Sequence, residues 1–170
     1  MARFYDINIF GKSPFQLEYH ILKKAFEEKL PKDVIIRLLE KQNEITDLGI
    51  SPISIVEELA KEIRDKSDIV CNFSQSAEDF PDPRELSLKK KNLMVFDDLL
   101  LEKQNTCELY YVRGRHSNVD CFYLAQTISS SHAKQSENAN FTCLFPQDLK
   151  NLNQIFEDHV GSDMTKEEFR

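Results

Sequence analysis

The segment Leu93-Met-Val-Phe96, set between the lysines at 89–91 and the adjacent carboxylates Asp97 and Asp98, constrains the fold more than any other. It is apolar without polar alternation and too short for a helix. Such a run reads as a strand covered on both faces, the kind found in parallel sheets flanked by helices. Cys121-Phe-Tyr-Leu124 has the same character and ends at Gln126, and Phe141-Thr-Cys-Leu-Phe145 reads as a third such strand. Near the N-terminus, Phe4, Ile7 and Ile9 flank polar positions, predicting a strand over residues 3–10 that Gly11 and Pro14 stop.

Between these runs the apolar residues recur at three- and four-residue steps. Leu17, Ile21, Leu22, Ala25 and Phe26 predict a helix capped by Ser13, with Pro14 at its first position and Pro31 at its end. Val34, Ile35, Leu38, Leu39 and Ile45 predict a second, capped by Asp33 and closing near Gly49. A third opens at Ser51-Pro52, where Ser54 and Glu57 have the spacing of a capping box. Ile69 to Cys71 suggests a short strand, and the polar, proline-punctuated stretch after it a loop. Further helices are expected over 102–112, closed by Gly114, and from Pro146 onward. Residues 1–66, a connecting loop at 67–91, and 92–170 thus form the segments of one structural domain. The alternation of strands and helices is that of an α/β fold with a mostly parallel sheet.

Composition removes several function classes. The apolar runs fall far short of the roughly 20 residues that cross a bilayer, so a soluble, intracellular protein without membrane partners is expected. Cys71, Cys107, Cys121 and Cys143 lie far apart with no C-x-x-C pair, which favours free thiols over a zinc site or disulfides. With 22 basic and 29 acidic residues, net charge −7, no cationic stripe for gripping DNA unaided is evident.

Ligands of parallel α/β sheets bind at the carboxyl ends of the strands, so Asp97, Asp98 and Gln126 occupy the informative positions. Asp97 suits a hard cation such as Mg²⁺, Asp98 the orientation or deprotonation of a water, and Gln126 the sensing of a phosphate. The alternative for the carboxylates is a turn that caps the next helix. Arg115, past Gly114, has the guanidinium fork for phosphate or for a neighbouring subunit; otherwise it serves a charged helix end. A phosphate-cradling G-x-x-x-x-G-K-[ST] loop is absent from these residues. Gly11-Lys12-Ser13 comes closest, but Asp6 stands where its first glycine belongs.

Taken together, Asn92 to Asp98, Tyr111 to Gln126 and Asn138 to Phe145 resemble the poxvirus-type DNA-packaging ATPases. These form part of the FtsK–HerA branch of P-loop NTPases and also occur in Polinton (Maverick) elements. Phe145-Pro-Gln-Asp148, Glu157 to Val160 and Asp163-Met164 resemble the Polinton form. The resemblance is good from about Pro81 to Arg170 and weaker before it, where Phe10 to Pro14 is similar to the family's second strand. It implies an incomplete three-layer P-loop NTPase-like sheet with helices on both faces, and Walker B chemistry using Mg²⁺ and ATP. Asp97 would hold the metal, Asp98 activate water, and Gln126 close the sensor strand. The region Ser129 to Ser136 lacks the arginines that the family usually carries there.

The resemblance further implies that the family's first strand and phosphate loop would precede Met1, so that this chain is not catalytically competent alone. An intact packaging-ATPase subunit or further copies of the chain are the implied partners, with DNA engaged only in an assembled motor. Two alternatives stand beside it. One is a non-catalytic interaction module or remnant of such an ATPase, working through its incomplete sheet or helix 52–66; the other is an unrelated α/β binding protein.

Overall fold

The structure, a computed structural model, describes residues 6–13, 16–63, 68–76, 79–86, 89–99, 105–125, 138–160 and 164–169. Four strands, β1 (Asp6–Gly11), β2 (Val70–Ser74), β3 (Asn92–Asp97) and β4 (Val119–Leu124), form one sheet in the order β2-β1-β3-β4. Every neighbouring pair is parallel. β1 therefore pairs with β3 across some eighty residues of chain, and the sheet runs through all three segments expected from sequence.

Period-two alternation divides the side chains between two faces. On one, Ile7, Ile9 and Cys71 pack with Tyr19 of α1 (Leu17–Glu27), and partly buried Leu93 and Val95 join them. Above this layer α1, α2 (Lys32–Asp47) and α3 (Pro52–Glu62) bury Ile21, Ala25, Leu38 and Val56 among themselves. On the other face Phe10, Met94, Phe96 and Val119 pack under Cys107 and Tyr110 of α4 (Asn105–Arg113). Helices thus cover both faces, as expected of an α/β protein.

Local signals placed the helices well and their ends less well. α1 starts at Leu17 with Gln16 in the cap position, not at Ser13; Pro31, read as a stop, is the cap residue of α2; and Asp33 lies inside the first turn of α2. Pro52 does open α3 after Ser51, but Ser51 makes no side-chain cap and Ser54 already lies within the helix, so the Ser54–Glu57 box does not form its N-terminus. Gly49 takes the left-handed conformation, φ 76°, that its helix-closing position requires. Gly114 instead enters a 3₁₀ turn, and the left-handed residue before β4 is Asn118, φ 55°. The last main helix, α5 (Leu149–Ile155), begins after Asp148, whose carboxylate accepts from the Asn151 N–H at 2.8 Å. A short α6 (Lys166–Phe169) follows.

One expected strand is absent: residues 141–145 are irregular, with Phe141 94% and Phe145 74% exposed. An apolar run becomes a strand only beside an edge that takes up its N–H and C=O groups. Among the described residues no strand pairs with the outer side of β4 either, and its Phe122 and Leu124 stand exposed.

The four cysteines are thiols rather than disulfides, and Cys71 and Cys107 are buried. Burial pushes the Cys71 thiol up to about 11 and the Cys121 thiol up to about 12, with Glu27 and Asp120 respectively adding to the shift. Burial likewise raises the Tyr110 and Tyr111 hydroxyls. These groups hold their protons longer in the folded chain than in the unfolded one. Their contribution to stability is therefore intact below about pH 8.5, the ordinary thiol value, and falls as pH rises towards the folded values. The urea midpoint is expected to be lower at about pH 10 than at neutrality; an unchanged midpoint would contradict the burial of these groups.

Candidate functional site

At the carboxyl ends of the strands, Gly11 lies in register with Asp97, and Asp97 with Leu124. Parallel pairing brings together residues far apart in sequence. A cavity of about 260 Å³ opens there, lined by Lys12, Ser13, Gln16, Asp97, Asp98 and Leu124 together with Ala125.

Asp97 is the last residue of β3, with its side chain on the α1 face of the sheet and half-buried. The Tyr19 hydroxyl on α1 hydrogen-bonds to its carboxylate; burial, with that bond and the Asp97 charge adding to it, raises the tyrosine well above its ordinary value. The Tyr19 ring in turn rests against Phe73 of β2, centroids 5.7 Å apart. On its other side Asp97 leaves no room across the ladder: a Cβ on Gly11 would lie 3.2 Å from both the Asp97 Cβ and the Asp97 carbonyl oxygen. A larger residue here would be a tight fit that the Asp97 end of β3 must relieve by a few tenths of an ångström.

Asp98 continues the ladder by one bond, its N–H donating to the Leu124 carbonyl at 3.0 Å, and there the backbone turns to φ 50°. Left-handed conformations are uncommon outside glycine, though aspartate adopts them more readily than most residues. The turn directs the chain out of the sheet at the cavity wall. The two carboxylates thus reach the cavity by different means, Asp97 by strand alternation and Asp98 by this turn.

The chemistry available is that of two carboxylates, one lysine, one serine hydroxyl and the Gln16 carboxamide beside the start of α1. Among the described residues no group of three or more His, Cys, Asp or Glu is placed to hold a metal by itself. Two carboxylates still fit Mg²⁺, which keeps several waters and takes its remaining oxygens from substrate phosphates. Asp97 would supply a carboxylate oxygen to the cation, with Asp98 beside it to act on a water, and the cation would neutralise phosphate charge at the strand ends. By local sequence Lys12 and Ser13 form only an incomplete phosphate loop; the cross-strand register of Gly11 with Asp97 that brings them to the site is invisible there.

Of the other expected site residues, Gln126 lies outside the described residues. Arg115 sits exposed in the 3₁₀ turn Gly114–Ser117, which leads into the amino end of β4. A six-residue strand spans roughly 20 Å, so Arg115 is at the opposite end of the sheet from Asp97 and Asp98. Among the described residues no helix is long and apolar enough to cross a membrane. No family model matches the sequence, and neither a curated protein nor a solved structure is similar enough to match it.

Proposed function

We propose that these 170 residues form the Walker B part of a P-loop NTPase-like core of the DNA-packaging type. Asp97 contributes to a Mg²⁺–nucleotide site, and Asp98 orients or deprotonates the attacking water. The phosphate-cradling loop is supplied from outside these residues, and without it the chain does not hydrolyse ATP. In the assembled motor, hydrolysis is coupled to movement of duplex DNA. The surplus of acidic residues leaves the DNA contacts to the assembly rather than to this chain alone.

What supports this reading is the meeting of Asp97 and Asp98 with Lys12 and Ser13 in one cavity at the carboxyl ends of a parallel sheet. Anionic ligands of α/β folds are held there because strand ends, loops and helix starts converge. Gln126 belongs to this reading through the resemblance; Arg115, at the far end of the sheet, enters it only as a group directed at another subunit. The test is a paramagnetic titration with Mn²⁺ and a non-hydrolysable ATP analogue, compared between the native chain and Asp97→Asn.

A specific observation also favours the second reading, an interaction module derived from such an ATPase. The outer side of β4 is unpaired among the described residues, and Phe122, Leu124, Phe141 and Phe145 are exposed near or beyond it in sequence. An added strand from a partner chain would satisfy such an edge. The two readings are compatible, since the chain that completes the sheet is also a source for the missing loop.

A further inference from the structure

On the sheet face opposite Asp97 lies a larger cavity, about 470 Å³, which the nucleotide site does not use. Its size is that of a small-molecule pocket. Buried Met94 and Tyr110 underlie its floor, Phe80 adds an aromatic ring, and Asn8 and Asn72 supply carboxamides from adjacent strands. We infer that this cavity binds a neutral planar heterocycle with neighbouring hydrogen-bond donor and acceptor groups, a nucleobase carried by an uncharged nucleoside.

Three observations carry the inference. The first is the amide pair. Asn8 and Asn72 face each other in register, and the Asn72 amide Nδ2 donates to the Asn8 Oδ1 at 2.9 Å. Each carboxamide then has one half engaged by the other. The remaining halves, the Asn8 amide nitrogen and the Asn72 oxygen, have no further partner among the described residues. They leave one donor and one acceptor, on adjacent strands, for a ligand. Turning both amides end for end reverses the order but keeps the pair, so complementarity to a base edge does not depend on the orientation assigned. The N6/N7 edge of adenine offers the matching groups.

The second is that the wall is fixed in advance. Ser74 donates its hydroxyl to the Asp79 carboxylate, the Tyr110 hydroxyl donates to the Pro81 carbonyl at 2.7 Å, and Phe80 packs edge-on against Phe10 with centroids 5.8 Å apart. The ring is thus held by ties at Asp79, Phe80 and Pro81, which reduces the ordering cost of binding. The third is charge. Asp6 and Asp79 line the cavity, and the nearby Lys90 ammonium lies 3.8 Å from the Asp6 carboxylate. With Lys90 partly offsetting Asp6, the lining keeps the net negative charge of Asp79, which disfavours a phosphate and favours an uncharged ligand.

The experiment is an NMR titration of the ¹⁵N-labelled full chain with adenosine and, separately, with adenosine monophosphate. The expected result is saturable shifts, in the millimolar range, of the Asn8 and Asn72 side-chain amides with adenosine. Affinity should fall about tenfold in Asn72→Ala, as for loss of a base-edge contact, and binding of the monophosphate should be several-fold weaker. Asn72 is exposed, so its truncation should be tolerated; Asn72→Ser provides the same readout if alanine impairs folding. No saturable shift at these amides would overturn the proposal. So would a response that both variants leave intact, or tighter binding of the monophosphate.

Discussion

Replacing Phe96 by alanine is expected to destabilise the chain by about 3–5 kcal/mol, as for large aromatic side chains removed from a packed core. Phe96 has no exposed surface, and its ring makes edge-on contacts with Phe10 at 6.4 Å and Tyr110 at 5.8 Å. It therefore joins β1 and β3 to α4 at one point. Removing it leaves a void between sheet and helix that neither neighbour fills without moving. Chemical denaturation of Phe96→Ala against the native chain measures the effect, and a loss below about 1 kcal/mol would mean that α4 does not cover this face.

Gly11→Val should have the second largest effect, a loss of about 1–3 kcal/mol from overpacking. The first added carbon already makes a tight contact, 3.2 Å from the Asp97 Cβ and carbonyl oxygen, before the branch methyls are counted. Relief requires the ends of β1 and β3 to separate, and that moves Asp97 relative to Lys12 and Ser13. The variant is thus expected to lose site geometry along with stability. Denaturation that matches the native chain would show that the strand ends are not held in this register.

These two residues also show how far the sequence could be read. The unbroken apolar character of Leu93 to Phe96 announced a strand covered on both faces, and Phe96 is buried under α4 as that pattern requires. The helical stripes of α1 to α3 were equally plain, because amphipathic periodicity is a local property. Caps were less legible: Ser13, Asp33 and Ser54 all have capping chemistry, but where each helix starts is decided by packing. Phe141 to Phe145 has the composition of a strand but pairs with neither edge of the sheet, and pairing is a condition that no local pattern reports.

The candidate site was half legible. Asp97 and Asp98 stood out because a strand end followed by two carboxylates is a local signal. Lys12, Ser13 and Tyr19 did not, since their nearness to Asp97 depends on β1 pairing with β3 and α1 lying over the sheet. Arg115 carried a plausible local signal and lies at the other end of its strand, because a helix leads into the amino end of the next parallel strand, never into its carboxyl end.

The most direct test of the nucleotide-site reading is Mn²⁺ broadening of the ¹⁵N-labelled chain in the presence of a non-hydrolysable ATP analogue. Because the phosphate loop lies outside these residues, binding is expected to be weak at most; the broadening it gives should centre on Gly11 to Ser13, Asp97, Asp98, Leu124 and Ala125, and disappear in Asp97→Asn while the rest of the spectrum remains that of the folded chain. Broadening without preference for these strand ends, or unchanged in Asp97→Asn, would contradict a metal–nucleotide site built on Asp97.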